Sequence, residues 1–315
     1  MRFATASLVK APPQVLVEWA AYHLNSGIDE MHIFFDDPQD PAIALLEPHP
    51  SITCYRCDAQ FWRDLVEPMK REVPDVVPEK QHIMLRYLLG RTDLNIDWLA
   101  HIDSDELIWA PGDLRTALHQ QCREGLDHVQ MLPLEAVPPK PQMQDPFREV
   151  TVFKEHKPKE YAEARERGVT APFRTGKLFR GHRRGKALVR FGAIKTMRVH
   201  GPTLGTLASG RIASETADDL WILHYDAGSF DEWFTKWQNF AVYGDHVGPM
   251  RIRQSQRFAA AAALPKRRER MKALRQLYRR EYMLRPQDEK ILRELGLVRT
   301  VALDPDLFTL RPAAS

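Results

Sequence analysis

The chain has 315 residues, of which 43% are hydrophobic, and its formal net charge is +3. This length suits one large domain or two ordinary ones, and the apolar content can fill a sizeable core, which excludes a wholly disordered chain. No apolar run approaches membrane-spanning length, and Lys10 and two prolines interrupt the N-terminal apolar stretch before it forms a signal-peptide core. We therefore expect a cytoplasmic protein, at most peripheral to an inner membrane.

The charge is unevenly distributed along the sequence. Residues 251–300 contain 15 Lys and Arg against 5 Asp and Glu, a local charge of +10, so the rest of the chain carries −7. Within this segment Met271, Leu274, Leu277 and Tyr278 recur at helical spacing with basic residues around them, which predicts an amphipathic helix. Such a helix either packs on the domain with a solvated basic face or makes a peripheral membrane contact.

The three cysteines, Cys54, Cys57 and Cys122, are too few for a disulfide framework, and their number is odd. Cys54 and Cys57 have the spacing of half a zinc site. However, residues 52–57 are typical of a strand, and positions three apart on a strand face opposite sides. With no second cysteine pair, the sequence predicts neither a zinc site nor redox chemistry here.

The N-terminal part of the chain alternates between short apolar runs, typical of strands, and stretches of helical periodicity. Strands are predicted at Phe3–Val9, Met31–Phe35, Ser51–Tyr55 and Trp98–Ile102, and helices from Pro12 to about Gly27, at Ala42–Leu46 and at Glu79–Arg91. This alternation predicts an α/β fold with parallel strands. No Gly-rich phosphate loop follows the first strand, so phosphate binding needs another device.

The strand at Trp98–Ile102 ends in the carboxylate cluster Asp103-Ser104-Asp105-Glu106. In an open α/β sheet, ligands bind at the carboxyl ends of the strands. Carboxylates this close repel one another, and a divalent cation that prefers hard oxygen ligands, Mg²⁺ or Mn²⁺, relieves the repulsion. The cluster therefore predicts a metal site that holds a phosphorylated ligand. An acidic turn followed by a helix N-terminus is the alternative.

Beyond this cluster the pattern is less regular. A helix is predicted at Leu114–Cys122 and a strand at His128–Leu134, followed by an irregular insertion at 138–172 with a helical piece near Glu160–Arg167. An insertion of this length is typical of a lid or acceptor loop. Further strands are predicted at Lys177–Phe179, Ala187–Phe191, Thr196–Val199 and Trp221–Tyr225, and helices after Ser229, at Ala259–Arg280 and at Gln287–Leu295. The aromatic stripe after Ser229 is interpreted as core packing: Phe230, Trp233, Phe234, Trp237 and Phe240.

Five stretches, taken in order, resemble a known family. They are Val17-Glu18-Trp19-x-x-Tyr22-His23-x-x-x-Gly27-Ile28-Asp29, Ile33-Phe34-Phe35-Asp36-Asp37, Trp98-Leu99-Ala100-His101-Ile102-Asp103-Ser104-Asp105-Glu106, Gly185-Lys186-Ala187-Leu188-Val189-Arg190 and Leu223-His224-Tyr225. Together they resemble the bacterial family 2-like glycosyltransferases, in the branch related to the domain-of-unknown-function-23 and family 92 enzymes. The resemblance covers residues 1–245, including the unmatched insertion 138–172, and leaves a basic helical C-terminal extension at 246–315.

The resemblance implies a GT-A fold, a Rossmann-like mixed sheet flanked by helices. It implies a hexosyltransferase that moves a sugar from a nucleoside diphosphate to an acceptor hydroxyl, in bacterial surface polysaccharide or glycolipid synthesis. The Asp-x-Asp motif of such enzymes holds Mn²⁺ or Mg²⁺ against the diphosphate, and here it falls on Asp103 and Asp105. A histidine on a late strand often completes the metal shell, and His224 is at the matching position, with His200 as a competitor.

The resemblance also implies nucleotide contacts. Asp36 and Asp37 lie where such enzymes contact the nucleotide, and Asp103 is an alternative ligand of the ribose. Arg184 and Lys186 are candidates for binding the diphosphate, because Arg binds phosphate in a bidentate manner and Lys acts as a point charge. A strand-ending turn is the alternative for the aspartates, and a solvated hairpin turn is the alternative for the basic run.

An inverting transfer needs a base near the acceptor hydroxyl. Asp226 and Glu215, with Asp218 after them, are the candidates because they lie close in sequence to the late strands; a retaining mechanism is the alternative. Two other functions fit the same sequence. One is another nucleotide-handling enzyme, such as a nucleotidyltransferase or a phosphohydrolase. The other is a module whose basic tail binds an anionic surface. We predict no nucleic-acid partner.

Overall fold

The structure is a computed structural model that describes residues 1–169, 178–181, 183–202, 212–242 and 249–311. The chain forms two compact units. Unit 1 comprises Met1–Pro133, Arg183–Leu223 and Asp304–Ser315, and unit 2 comprises Leu134–His182 and His224–Leu303. The sequence predicts a domain boundary at residue 245 because the family resemblance ends there. The two compact units do not test this boundary, so it stays a prediction.

Strands and helices alternate along the chain, as an α/β fold requires. Among the described residues, the strands are β1 Phe3–Val9, β2 Glu30–Phe35, β3 Ile52–Arg56, β4 Trp98–His101, β5 Glu106–Trp109, β6 His128–Ala136, β7 Val152–Glu155, β8 Lys186–Arg190, β9 Met197–Arg198, β10 Gly201–Pro202, β11 Ser214–His224 and β12 Val298–Thr300. The helices are α1 Pro13–Asn25, α2 Ala42–Leu46, α3 Ala59–Val66, α4 Val77–Leu89, α5 Leu114–Gln121, α6 Pro146–Glu149, α7 Tyr161–Glu166, α8 Phe230–Val242, α9 Pro249–Ala262, α10 Arg267–Tyr282 and α11 Pro286–Glu294.

Unit 1 is built on a sheet whose centre is four parallel strands. Their order is β3-β2-β1-β4; β8 then pairs antiparallel with β4, and the first part of β6 pairs antiparallel with β8. All seven residues of β1 are buried, as expected for a central parallel strand with helices on both faces. Because β2 and β4 run in the same direction, Phe35 and His101 end at the same edge of the sheet. The chain enters β8 beside the end of β4, at Lys186.

The helices of unit 1 pack on this sheet through apolar stripes. One cluster joins α3 and α4 to the sheet through Trp62, Val66, Ile83, Met84, Leu88 and Phe34. Helix α1 buries Leu16 and Trp19, and its Tyr22 ring lies 5.3 Å from the Phe308 ring near the C-terminus. The predicted α/β class, a mixed sheet flanked by helices, is confirmed, and it is consistent with a Rossmann-like GT-A fold.

Unit 2 has its own strand pairs and apolar clusters. The last part of β6 pairs antiparallel with β7, and β7 pairs antiparallel with β12. The aromatic stripe of α8 packs against α9 and α10 in one cluster that includes Phe230, Trp233, Trp237, Phe258, Leu274, Leu277 and Tyr278. The interpretation of this stripe as core is therefore confirmed. Within the described parts of the chain, no helix combines the length and the apolar content that a membrane crossing requires.

One predicted helix is wrong in its extent. The stretch Ala259–Arg280 is divided between α9, which ends at Ala262, and α10, which begins at Arg267. Pro265 lies in the gap, and a proline in a helix interior removes a backbone hydrogen bond and clashes with the preceding turn. The two helices therefore pack side by side within unit 2 instead of forming one rod.

The predicted insertion 138–172 is less irregular than its sequence indicates. It contains β7, which pairs with the end of β6 just before the insertion and with β12 near the C-terminus, and the short helix α7 at the predicted helical piece. Residues 170–172 lie outside the described residues. Leu178 and Phe179 lie in no strand, and Lys177 of that predicted strand also lies outside the described residues.

Two glycines near β8 give a matched test of the packing. Gly185 and Gly192 both have positive φ, +68° and +81°, but a Cβ at Gly185 would lie 1.9 Å from the carbonyl oxygen of Met131, whereas a Cβ at Gly192 meets open space. We expect Gly192→Ala to cost about 1 kcal/mol of unfolding free energy and Gly185→Ala at least about 3 kcal/mol. Denaturant unfolding measures both, and equal losses would contradict the register of β8.

Candidate active site

The acidic turn, residues 103–106, connects β4 to β5 at the carboxyl edge of the unit 1 sheet. The amide of Glu106 donates to the carbonyl oxygen of Asp103 at 3.0 Å, and the amide of Asp103 donates to Oε2 of Glu106 at 2.9 Å. These reciprocal bonds close the turn. Glu106 is buried, whereas the side chain of Asp103 is 34% exposed and Asp105 is half-buried.

Lys186 is buried beneath this turn, with a side chain that is 1% exposed. Its Nζ lies 2.6 Å from Oδ2 of Asp103 and 3.2 Å from Oε2 of Glu106. Burial lowers the pKa of Lys186, but the attraction of the two carboxylates raises the pKa by a larger amount. The pKa therefore lies above its usual value, and the ammonium stays charged. The ammonium is therefore committed to the carboxylates of the turn.

Two more side chains complete the surroundings of Asp103. Gln81 of α4 donates its amide to Oδ1 of Asp103 at 2.8 Å, so both carboxylate oxygens accept a hydrogen bond. Nδ1 of His101 lies 3.2 Å from Nζ of Lys186 and accepts from the ammonium. Burial and the charge of Lys186 lower the pKa of His101 to about 3, which keeps the imidazole neutral for this role.

Helix α1 holds the strand that leaves the turn. Trp19 donates its indole N–H to the carbonyl oxygen of Glu106 at 2.9 Å. The hydroxyl of Tyr22 donates to the carbonyl oxygen of Ile108, also at 2.9 Å. His23 accepts from the amide of Ile108 at 3.2 Å through Nε2, and its Nδ1 donates to the carbonyl of Trp19 at 2.9 Å. The motif Trp19-x-x-Tyr22-His23, which contributes to the family resemblance, therefore fixes the backbone of β5.

The other residues predicted at this edge have partners of their own. Asp36, at the end of β2, accepts from Lys80 of α4 at 2.7 Å. Asp37 is exposed, and its carboxylate accepts from the amide of Gln39 at 2.9 Å, so it stabilises its own turn. The predicted nucleotide contacts of both aspartates stay predictions.

The basic run before β8 is held through its backbone. Gln130 of β6 donates to the carbonyls of Arg184, at 2.5 Å, and Lys186, at 2.8 Å. The Arg184 side chain is exposed, and His182 of the same run lies outside the described residues. His200 is half-buried, with Nδ1 2.9 Å from the carbonyl of Gly185, and burial lowers its pKa. Arg184 stays a prediction as a diphosphate contact.

In unit 2, His224 ends β11 and Asp226 follows it. A Cβ added to Gly181 would lie 2.8 Å from Nδ1 of His224, so only glycine permits this approach. The side chain of Asp226 is 15% exposed, and its burial raises the pKa, but Lys236 and His224 lower the pKa by more. The net shift is strongly downward, because Asp226 forms an ion pair with Lys236. This carboxylate is ionised and accepts a proton poorly.

Unit 2 also contains a buried ionic network that the sequence interpretation missed. Oε1 of Glu135 accepts from the amides of Arg180 and Gly181 at 2.8 and 2.6 Å, while its other oxygen pairs with Lys154. Arg180 in turn donates to Oε2 of Glu281 at 2.8 Å. Glu135 lies in the apolar second half of β6, and a lone carboxylate in such a run indicates a buried partner.

Glu215, the second candidate base, lies near the start of β11. Its side chain is 45% exposed, and both carboxylate oxygens accept from Arg123, at 2.5 and 2.6 Å. Asp218 is exposed on the same strand. The structure thus brings Asp103 together with Lys186, whereas Glu215 lies at an exposed ion pair. The roles of Asp226 and Glu215 as bases stay predictions.

His23 predicts a pH dependence of stability. Burial lowers its pKa to about 4, and protonation at Nε2 would place an N–H against the amide of Ile108. The unfolded chain takes up this proton near pH 6.5, so stability is complete above that pH and is lost as the pH falls towards 4. Between pH 7 and 5, we expect the wild type to lose about 2 kcal/mol more than His23→Gln in denaturant unfolding. Equal losses in both proteins would contradict this assignment.

Lys186 predicts a large and specific loss of stability. Lys186→Met leaves Asp103 and Glu106 without their buried cation, and we expect a loss of about 3–5 kcal/mol. The exposed Lys195→Met serves as control and should change stability by less than about 0.5 kcal/mol. Adding Asp103→Asn to Lys186→Met should recover part of the loss in a double-mutant cycle. Simple additivity of the two changes would argue against the ion pair.

Comparisons with known proteins establish no family for the chain. No protein-family model matches it, and no curated protein matches it. Among solved structures, the apo form of mouse xyloside xylosyltransferase 1 is similar over 60% of this chain and 67% of that chain, with 11% identity and a TM-score of 0.27. A similarity this low carries no argument about activity, so the function is argued from the site.

Proposed function

We propose that the protein is a metal-dependent glycosyltransferase that moves a sugar from a nucleoside diphosphate sugar to an acceptor hydroxyl. The observation that carries this proposal is the acidic turn at the carboxyl end of β4, held in place by the buried Lys186. This edge of an α/β sheet is where ligands bind. The ordered motifs that resemble family 2-like glycosyltransferases support the same conclusion, because three of them meet at this turn.

Asp105 is the proposed metal ligand of the turn, with Asp103 beside it. Both oxygens of Asp103 accept hydrogen bonds from Gln81 and Lys186, so its main role is to orient the turn. The donor set fits Mg²⁺ or Mn²⁺, which are often held by one or two carboxylates together with substrate phosphates. When bound, the cation neutralises the charge that develops on the leaving diphosphate. His224, as a further ligand, would favour Mn²⁺ because imidazole suits it better than Mg²⁺.

The nucleotide and the diphosphate need separate contacts. Asp36 is proposed to contact the nucleotide, with Lys80 orienting its carboxylate. The exposed guanidinium of Arg184 suits a bidentate contact with phosphate. The ammonium of Lys186, being committed to Asp103 and Glu106, serves the diphosphate indirectly by orienting the turn. Arg184 can therefore contact the donor directly, whereas Lys186 prepares its site.

We assign no catalytic base. The pKa of Asp226 is held well below its usual range, and Glu215 forms an exposed ion pair with Arg123, so we single out neither candidate. This leaves both inverting and retaining transfer compatible with the proposal. Bacterial surface polysaccharides and glycolipids are the proposed acceptors, and they follow from the family resemblance.

Donor binding tests the proposal. We expect uridine or guanosine diphosphate sugars to raise the melting temperature in Mn²⁺, and Asp105→Asn to weaken this binding at least about tenfold because it removes a charged ligand. Asp64→Asn is the matched control, since Asp64 is exposed on α3 and accepts a hydrogen bond from Gln60 at 2.6 Å. Calorimetric titration with and without EDTA measures the metal dependence. Stabilisation by nucleoside triphosphates but by no diphosphate sugar would favour a nucleotidyltransferase instead.

A further inference from the structure

Helix α10 has four cations in one line along its surface. Arg268, Lys272, Arg275 and Arg279 follow one another at spacings of four, three and four residues, and all four are exposed. These spacings place side chains on one face of a helix, along about 16 Å at 1.5 Å per residue. We call these four residues the cationic stripe.

The cationic stripe has no carboxylate partner among the described residues. Other exposed arginines of the protein form ion pairs, such as Arg167 with Glu294 and Arg293 with Glu289. Like charges three and four residues apart destabilise a helix, so the stripe opposes folding instead of aiding it. Within the stripe, the guanidinium of Arg275 lies 5.5 Å from the centre of the Phe230 ring. The arrangement therefore calls for an anionic partner outside the chain.

Packing on the other side of α10 fixes the direction of the stripe. Leu274, Leu277 and Tyr278 are buried against α8 and α9, and the hydroxyl of Tyr278 donates to the carbonyl of Gly228 at 3.1 Å. Both acids of α10 have partners, because Glu269 pairs with Lys266 while the buried Glu281 pairs with Arg180 and Arg257. Neither acid of α10 therefore compensates the charge of the cationic stripe.

We infer that the cationic stripe docks on an anionic membrane surface. Apolar groups lie on the same helix pair: Ile252 of α9 is 45% exposed. A cluster of four Lys and Arg on one face of an amphipathic helix matches the negative headgroups of an anionic bilayer. A single-stranded polynucleotide would instead use exposed aromatic rings for stacking, and the aromatic rings of this cluster are mostly buried.

The expected strength follows from the number of charges. Each Lys or Arg close to an anionic bilayer strengthens binding roughly fivefold, so four contribute a factor of several hundred. The attraction falls off within a Debye length of about 10 Å at 0.1 M salt, so it weakens as salt is added. The inference is independent of the proposed transferase activity, because it concerns α10 alone.

Vesicle co-sedimentation of the full chain tests this inference. We expect binding to vesicles that contain 30% phosphatidylglycerol, little binding to pure phosphatidylcholine, and release as NaCl rises from 0.05 to 0.5 M. Changing all four residues of the cationic stripe to Gln should lower the partition coefficient at least about a hundredfold. A control with the same charge change at exposed positions elsewhere should lower it less than about fivefold: Lys159→Gln, Lys195→Gln, Arg198→Gln and Lys290→Gln.

Each other outcome overturns the inference. Equal losses in the two four-residue variants would show that net charge and not the stripe matters. Equal binding to vesicles with and without phosphatidylglycerol, or no binding to either, would show that the stripe does not dock on anionic membranes. Tight binding of a DNA duplex by the stripe without vesicle binding would make it a nucleic-acid surface. Thermal unfolding confirms that each variant is folded, and Asp105→Asn should bind vesicles as the wild type does, which separates this result from failure of the transferase proposal.

Discussion

The ion pair of Lys186 with Asp103 and Glu106 is the interaction on which the candidate site depends. A buried ammonium is costly unless its charge is matched, and here two carboxylates and a neutral imidazole surround it. Lys186 begins β8 and the carboxylates follow β4, so the pairing requires that the two strands keep their register. One interaction thus joins the sheet to the geometry of the acidic turn.

Helix α1 constrains the same turn from a second direction. Trp19, Tyr22 and His23 hydrogen-bond to the backbone of β5 instead of pointing at a ligand. The motif Trp19-x-x-Tyr22-His23, which contributes to the family resemblance, therefore fixes the backbone that follows the acidic turn. A metal ligand such as Asp105 gains from this arrangement, because its backbone is fixed before any ligand arrives and less ordering is needed on binding.

Sequence patterns predicted the parallel strands because each is a compact apolar run, and they placed Asp103 at a carboxyl end for the same reason. They did not predict that Lys186 would form an ion pair with Asp103, which lies 83 residues earlier in the sequence. That ion pair depends on the antiparallel register of β4 and β8. The strand β7 was missed because one of its two partners, β12, lies 144–148 residues away in the sequence. Local patterns identify elements and chemical types; pairing between distant strands decides which charges neutralise each other.

The charge states of the candidate groups favour electrostatic catalysis over proton transfer. Lys186 places its own ammonium against the acidic turn, and Lys236 and His224 hold Asp226 ionised although its side chain is only 15% exposed. A carboxylate whose pKa lies far below neutral is a weak base, but it remains a full negative charge for a cation to bind. Glycosyl transfer from a nucleoside diphosphate makes this demand, because the leaving group carries its charge away without needing a proton.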